Sequence, residues 1–381
     1  MRFQRRFQML TVFLLLSGWV CAAAPRPIPE ISSIAYIVYD ADYNQIVLEK
    51  NAHQQRSIAS MTKVMTLLYT IELVEQGVVS LSDEITASSR AASRDGTQIR
   101  LRAGDTFTLE ELLYAAALAS ANDAAVAIAE YIGGSEEEFA RLMTARALEL
   151  GLTNTNYVDS TGLLSIFSGN YSTAFEQAEL MQIALDHELF RKIIGEKEYY
   201  LKPQNRYITN THPLLDMEGV EGGKTGATTP AGHTLSTSRF YNGRRLITVV
   251  LGARSREVRN AESEEVINWA YERLETLIPR TKVMTAVLVP DGVEHQVNAV
   301  LEQDFSLFIR NEKDRKIVTK IELREGIRAP LEQGDSVGEL VIYRDNQEFA
   351  RLNLVAQQGT GLASWLRRVV YQIMRFFQRI L

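Results

Sequence analysis

A serine hydroxyl and a lysine amine stand three residues apart in the run Ser60-Met61-Thr62-Lys63. Residues at i and i+3 share one helix face, so the Ser60 oxygen and the Lys63 nitrogen can meet. Serine is a poor nucleophile near neutral pH until a neighbouring base takes its proton. Lys63 can be that base only when it is neutral, and burial or a second cation moves a lysine toward that state. Lys224 is the candidate second cation. The flanking Val64, Met65 and Leu68 are apolar, which separates this lysine from the solvated helix faces where Ser-x-x-Lys occurs by chance.

Two later triplets could complete a site. In Ser120-Ala121-Asn122, the Ser120 hydroxyl could relay a proton to a leaving group, and the Asn122 amide could hold a substrate carbonyl or a lysine. In Lys224-Thr225-Gly226, a cation and a hydroxyl suit a carboxylate, and Gly226 lets a substrate backbone approach. Taken singly, the first is an ordinary capping turn and the second an edge strand carrying a protective lysine.

The elements that must position these groups are legible as patterns. Two strands, Ile34–Tyr39 and Gln45–Leu48, precede a helix from Met61 toward Gly77 with apolar residues at helical spacing. Thr108 with Glu111, and Ser135 with Glu138, read as capping boxes. Between them, Asn122 or Asp123 is expected to cap a helix that follows the Ser120 break. An irregular stretch from Thr153 to Asn170 leads into a further helix. Strands then cover 222–226, 233–238 and 246–253, the last two joined at Asn242-Gly243, and a helix is expected over 261–277. Strands at both ends with helices between predict an α+β fold, an antiparallel sheet packed by helices, over residues 25–278. Short strand-like runs over 279–358 predict a small all-β domain.

Composition and the termini place the chain. Its 381 residues carry a net charge of −6, with no basic cluster outside the two ends, which argues against a nucleic-acid partner. Arg2, Arg5 and Arg6 precede the apolar run Met9–Val20 and the small residues up to Ala24, so residues 1–24 read as a signal peptide. The single cysteine, Cys21, falls in that segment, which leaves no disulfide, cysteine nucleophile or cysteine metal site in the mature chain. The five histidines show no metal-ligand spacing, so neither metal nor cofactor is expected. Over residues 359–381, Trp365, Leu366, Val369, Val370 and further apolar residues share one helix face, while Arg368, Arg375 and Arg379 share the other. That pattern predicts a helix lying in the plane of a membrane surface.

The order and placement of the three triplets resemble those of the penicillin-recognising serine enzymes. The closer resemblance is to the serine-type D-alanyl-D-alanine carboxypeptidases, the low-molecular-weight penicillin-binding proteins. It is carried by Ala59-Ser60-Met61-Thr62-Lys63-Val64-Met65-Thr66, by Ser120-Ala121-Asn122-Asp123-Ala124, and by Gly223-Lys224-Thr225-Gly226 with Val249-Val250-Leu251-Gly252-Ala253 downstream. The β region, through Ala329-Pro330 and Gly334-Asp335-Ser336-Val337-Gly338, and the terminal amphipathic helix are also similar to family features.

The resemblance implies acylation of Ser60 by the penultimate D-Ala of a peptidoglycan stem peptide, release of the terminal D-Ala, and hydrolysis by water. β-Lactam antibiotics would acylate the same serine. Lys63 would be the general base, with Ser120 and Lys224 in the proton network. The backbone N–H groups of Ser60 and Ala227 would form the oxyanion hole, and Thr225 and Arg259 would bind the terminal carboxylate. Asn122 and Gly226 would line the substrate. The expected location is the outer face of a bacterial cytoplasmic membrane. The chain departs from the family at Ile58, where proline is usual, at Asn210-Thr211-His212-Pro213, where some members carry arginine, and at Ala227. A β-lactamase would need a glutamate between the second and third motifs, and Asp159 is the sole acid in Thr153–Asn170. A D,D-endopeptidase is chemically close, but such relatives usually lack the second domain. A non-catalytic wall-binding module would leave a complete nucleophile, base and carboxylate site unexplained.

Overall fold

The computed structural model describes residues 27–378, with side chains to Tyr371. The expected signal peptide, residues 1–24, lies outside them. At the centre is a five-stranded antiparallel sheet in the spatial order Gln45–Lys50, Ala35–Asp40, Arg244–Ala253, Gly232–Tyr241 and Val220–Thr228. Successive side chains of a strand point to opposite faces, and here both faces are covered. Ile37, Ile247, Val249 and Leu251 face a core built with the helices Lys63–Glu75, Leu109–Leu118, Asn122–Gly133 and Ala174–Leu185. Tyr36, Val38, Leu246 and Val250 face the helix Arg256–Tyr271. The nucleophile helix is therefore buried on most sides, as its apolar surface requires.

Several local expectations hold. The Thr108–Glu111 capping box is reciprocal, and Asn242-Gly243 turns the hairpin between the two long strands, with left-handed backbone at both residues. Others need correction. Ser135 accepts from the Glu138 N–H at 3.2 Å, but Glu138 turns its carboxylate to Arg141 instead of closing a box. Neither Asn122 nor Asp123 caps its helix. Ala121 occupies the cap position without a side-chain bond, because Asn122 and Asp123 are engaged elsewhere. The helix expected over 261–277 starts earlier, where Ser255 accepts from the Val258 N–H, and stops at Tyr271. Leu274–Ile278 is a strand that pairs with Phe305–Phe308, a partner invisible to local periodicity. The helix Glu188–Gly195 and the hairpin Glu198–Leu201/Arg206–Thr209 carry no expectation from the sequence.

The β region is a five-stranded antiparallel sheet in the order Thr285–Leu288, Gln296–Leu301, Gln347–Ala356, Ser336–Arg344 and Val318–Leu323, over its own apolar core. Arg244 ties it to the first sheet. Its guanidinium pairs with buried Asp40, donates to the Ser306 carbonyl at 3.0 Å and lies over the Tyr43 ring at 3.9 Å. The chain ends in the helix Trp365–Gln378, where Trp365, Leu366, Val369 and Val370 are all exposed. Among the described residues, no helix is long and apolar enough to cross a membrane.

Candidate active site

Ser60 sits in a single 3-10 turn, Ala59–Thr62, that runs into the helix beginning at Lys63. Ala59 adopts φ +50°, a left-handed conformation that costs a non-glycine residue about 1–2 kcal/mol. The irregular loop 153–170 presses against this turn. A Cβ on Gly162 would come within 1.8 Å of the Ala59 carbonyl oxygen, so only glycine fits there. The Ile166 N–H donates to Ser57 Oγ at 2.8 Å, fixing the loop to the residues just before the turn. Asp159 holds the loop from inside by accepting from the N–H groups of Thr161, Gly162 and Leu164.

Lys63 is completely buried, and its Nζ lies 3.1 Å from Ser60 Oγ, 2.6 Å from Asn122 Oδ1 and 2.9 Å from the Thr161 carbonyl oxygen. The Asn122 amide orientation is set from its other end, where Nδ2 donates to the Asp95 carbonyl at 2.7 Å. Two of the three neighbours of Nζ are therefore acceptors only. A neutral amine has two N–H groups and one lone pair. Spending both N–H groups on Asn122 and Thr161 leaves the lone pair directed at the Ser60 hydroxyl. Burial lowers the Lys63 pKa to about 7; Asp159 opposes that shift, Arg94 adds to it, and Asp123 and Glu136 oppose it. Arg94 is a cation the sequence did not suggest, and the expected Lys224 shares a mutual repulsion with this lysine.

Ser120 breaks the chain between two helices with a left-handed φ of +56°. Its Oγ accepts from Lys224 Nζ at 2.9 Å, and Lys224 also donates to the Thr225 carbonyl at 3.0 Å. Lys224 is buried, and its pKa is pushed well down by burial first, then by Lys63 and Arg259. The strand Val220–Thr228 brings Gly226 so close to the nucleophile turn that a Cβ there would stand 3.0 Å from the Ser60 nitrogen. The same Cβ would stand 2.5 Å from Thr234 Oγ1, so the glycine of the third triplet is required by the Thr234 side chain and the nucleophile turn together.

A cleft of about 410 Å³ opens over these groups. Ser60, Ser120, Thr225, Gly226, Ala227 and Arg259 all line it. Lys63 and Asn122 stand behind its wall, joined to it through Ser60. Thr225 Oγ1 lies 3.0 Å from Thr211 Oγ1. Arg259, on the first turns of the helix Arg256–Tyr271, is mostly buried, and its guanidinium rests on Asn260 Oδ1. Sequence reasoning missed Thr97, Thr211, His233, Arg256 and Asn260 in the lining, and Arg94, Asp159 and Thr161 around the lysine. Thr211 had a signal, as part of the departure at 210–213, and so did Asp159, as the sole acid in Thr153–Asn170. His212, behind it, is held neutral by burial, with its pKa down at about 3. Among the described residues, no group of acidic, histidine or cysteine side chains could hold a metal ion.

The family model for D-alanyl-D-alanine carboxypeptidases matches residues 21–255, more than half of the chain. The chain belongs to that family. A second model, for the C-terminal domain of penicillin-binding protein 5, matches residues 273–360. Among this family's curated members, the chain is 33% identical over 350 residues to D-alanyl-D-alanine carboxypeptidase DacF of Bacillus subtilis, spanning 89% of this chain and 90% of that one. It is 29% identical to DacC of Escherichia coli, spanning 97% and 95%. Among solved structures, penicillin-binding protein 5 of Haemophilus influenzae superposes with a TM-score of 0.67 at 28% identity, covering 88% of this chain and 99% of that one. The Streptococcus pneumoniae structure described as a peptidoglycan synthesis regulatory factor, PBP3, gives 0.72 at 27% identity, covering 87% and 100%. As a member of the carboxypeptidase family the chain is a serine hydrolase, and the family's two-region fold is the one its sequence predicted.

Proposed function

We propose that the protein removes the terminal D-Ala from peptidoglycan stem peptides through an acyl-enzyme on Ser60, and that β-lactams acylate the same oxygen. The observation that carries this is the buried Lys63 amine 3.1 Å from Ser60 Oγ, with acceptor oxygens of Asn122 and Thr161 as its other neighbours; in its neutral form they take both N–H groups and leave the lone pair for the Ser60 proton. Ser60 Oγ attacks the carbonyl carbon of the penultimate D-Ala as its proton passes to Lys63. The backbone N–H groups of Ser60 and Ala227 receive the developing oxyanion; one such donor contributes about 3 kcal/mol. When the peptide C–N bond breaks, the leaving amine of D-Ala takes up a proton through Ser120 and Lys224. Water then attacks the ester and returns Ser60 to its starting state. Thr225 and Arg259 grip the terminal carboxylate, which confines the enzyme to chain ends.

The test is D-Ala release from a diacetylated tripeptide ending in D-Ala-D-Ala. Ser60→Ala is expected to abolish both release and covalent labelling by penicillin, and release that persists in this variant would overturn the mechanism.

The same reading extends to location. Residues 1–24 direct export, the catalytic domain runs to about residue 278, the β domain to about 358, and the terminal helix rests on the outer, periplasmic face of the cytoplasmic membrane. The exposed Trp365, Leu366, Val369 and Val370 support this, and each arginine near an anionic surface adds about 1 kcal/mol. Deleting 362–381 is expected to abolish binding to anionic vesicles while leaving tripeptide turnover intact. Vesicle binding by the truncated protein would sink the anchor.

A further inference from the structure

A second groove, of about 750 Å³, lies beside the cleft and is lined by Gln98, Ile99, Arg100, Arg102, Gln204 and Arg206, with Pro203 and Asp105 at its margin. It is a site of concentrated positive charge on a chain whose net charge is −6. All three arginines are exposed. Among the described residues, the side chains of Arg100 and Arg102 donate no hydrogen bond and meet no acid. Asp105, the one acid in the lining, is already occupied by the Arg102 backbone N–H at 2.8 Å.

The groove is built by the catalytic framework itself. Asp123, next to Asn122, accepts from the N–H groups of Ile99 and Leu101 at 3.1 and 2.9 Å, and so grips the chain on either side of Arg100. Arg100 between them takes φ +62°, a conformation rare for a non-glycine residue. The carbonyl of Ile99 accepts from Arg206 and from Gln204, each at 2.9 Å, which orients the Arg206 guanidinium. The same segment reaches the cleft, because Thr97 lines it and its carbonyl accepts from the Asn122 N–H at 2.7 Å. Three residues, about 10 Å of extended chain, separate Thr97 in the cleft from Arg100 in the groove.

We infer that this arginine groove is a subsite for a free carboxylate on the acyl side of the stem peptide, two to three residues before the scissile bond. The inference rests on the carboxypeptidase reading. A peptide held by its terminal carboxylate at Arg259 crosses the cleft and leaves past Thr97. A side-chain or α-carboxylate carried two to three residues upstream then lies about 7–10 Å from the reacting carbonyl, on the side of the cleft where the chain runs from Thr97 to Arg100. Guanidinium groups match carboxylates bidentately, whereas an amidated peptide would leave them without a counter-charge.

The experiment compares kcat/KM on two stem pentapeptides that differ only in whether the carboxylate two to three residues before the scissile bond is free or amidated. The neutral diacetylated tripeptide serves as a control for the reaction itself. The full chain is expected to favour the free acid about fivefold, as exposed charge pairs allow, with the preference shrinking in high salt. R100Q/R102Q should bring the ratio close to one. R100E/R102E should reverse it, and because neither side chain holds the fold together, thermal unfolding should be little changed. A full-chain ratio of one, or a ratio unmoved by both variants, overturns the subsite. Failure to release D-Ala from the neutral tripeptide would instead overturn the carboxypeptidase reading.

Discussion

The two walls of the cleft each bury a lysine, and they treat it differently. On the helical wall, Asp159, Asp123 and Glu136 oppose what burial and Arg94 do to Lys63. On the sheet wall, Lys224 meets only cations, Lys63 and Arg259, in addition to burial. The helical wall is electrostatically complete on its own and holds its amine at a pKa of about 7, near the pH where a base works best. The sheet wall lacks an anion. In the proposed reaction a substrate carboxylate at Thr225 and Arg259 supplies one, which favours the protonated form of Lys224 that a proton donor to the leaving amine requires. On the proposed mechanism, chemistry is prepared on one side of the cleft, and recognition is left for the substrate to complete on the other.

The sharpest way to break that division is Lys63→Met, which keeps the buried volume and removes the base. We expect kcat to fall on the order of 10³-fold with binding of the terminal carboxylate little changed; a loss confined to KM would erase the distinction. Arg259→Gln attacks the other wall. It should raise KM for the D-Ala-D-Ala tripeptide about 100-fold, the worth of a charge-assisted pair, with a smaller change in kcat. The mildest test is pH. Neutral Lys63 is the active form in the proposed mechanism, so kcat/KM should rise with pH through about 7. Asp159 holds the Lys63 pKa up, so Asp159→Asn should move that rise to lower pH. A shift to higher pH, or none, would mean that the carboxylate does not act on the base.

The sequence showed the helical wall and the sheet wall unequally. The cap at Thr108 and the hairpin at Asn242-Gly243 are local signals, and local geometry bears them out; the three triplets are local patterns too, and the structure gathers them around one cleft. The neighbours that set Lys63 come from Arg94, Asp123, Glu136 and Asp159, scattered over a span with no shared motif and joined only by packing. Leu274–Ile278 reads as helix in isolation because its pairing partner lies some thirty residues downstream, at Phe305–Phe308. Asn122 is legible as a residue that could hold a substrate or a lysine, and only its second bond, to Asp95, shows which way the amide faces.

The left-handed turn at Ala59 has a consequence for heat tolerance. Glycine adopts that conformation without the steric penalty, so Ala59→Gly is expected to relieve about 1 kcal/mol of strain. The melting temperature should rise by a few degrees or less, since a chain this long gains little per kcal/mol. The same change would loosen the carbonyl against which Gly162 packs, and with it the aim of Ser60. A library of this chain sorted only by survival at high temperature would therefore favour one of the substitutions that a sort by turnover would discard.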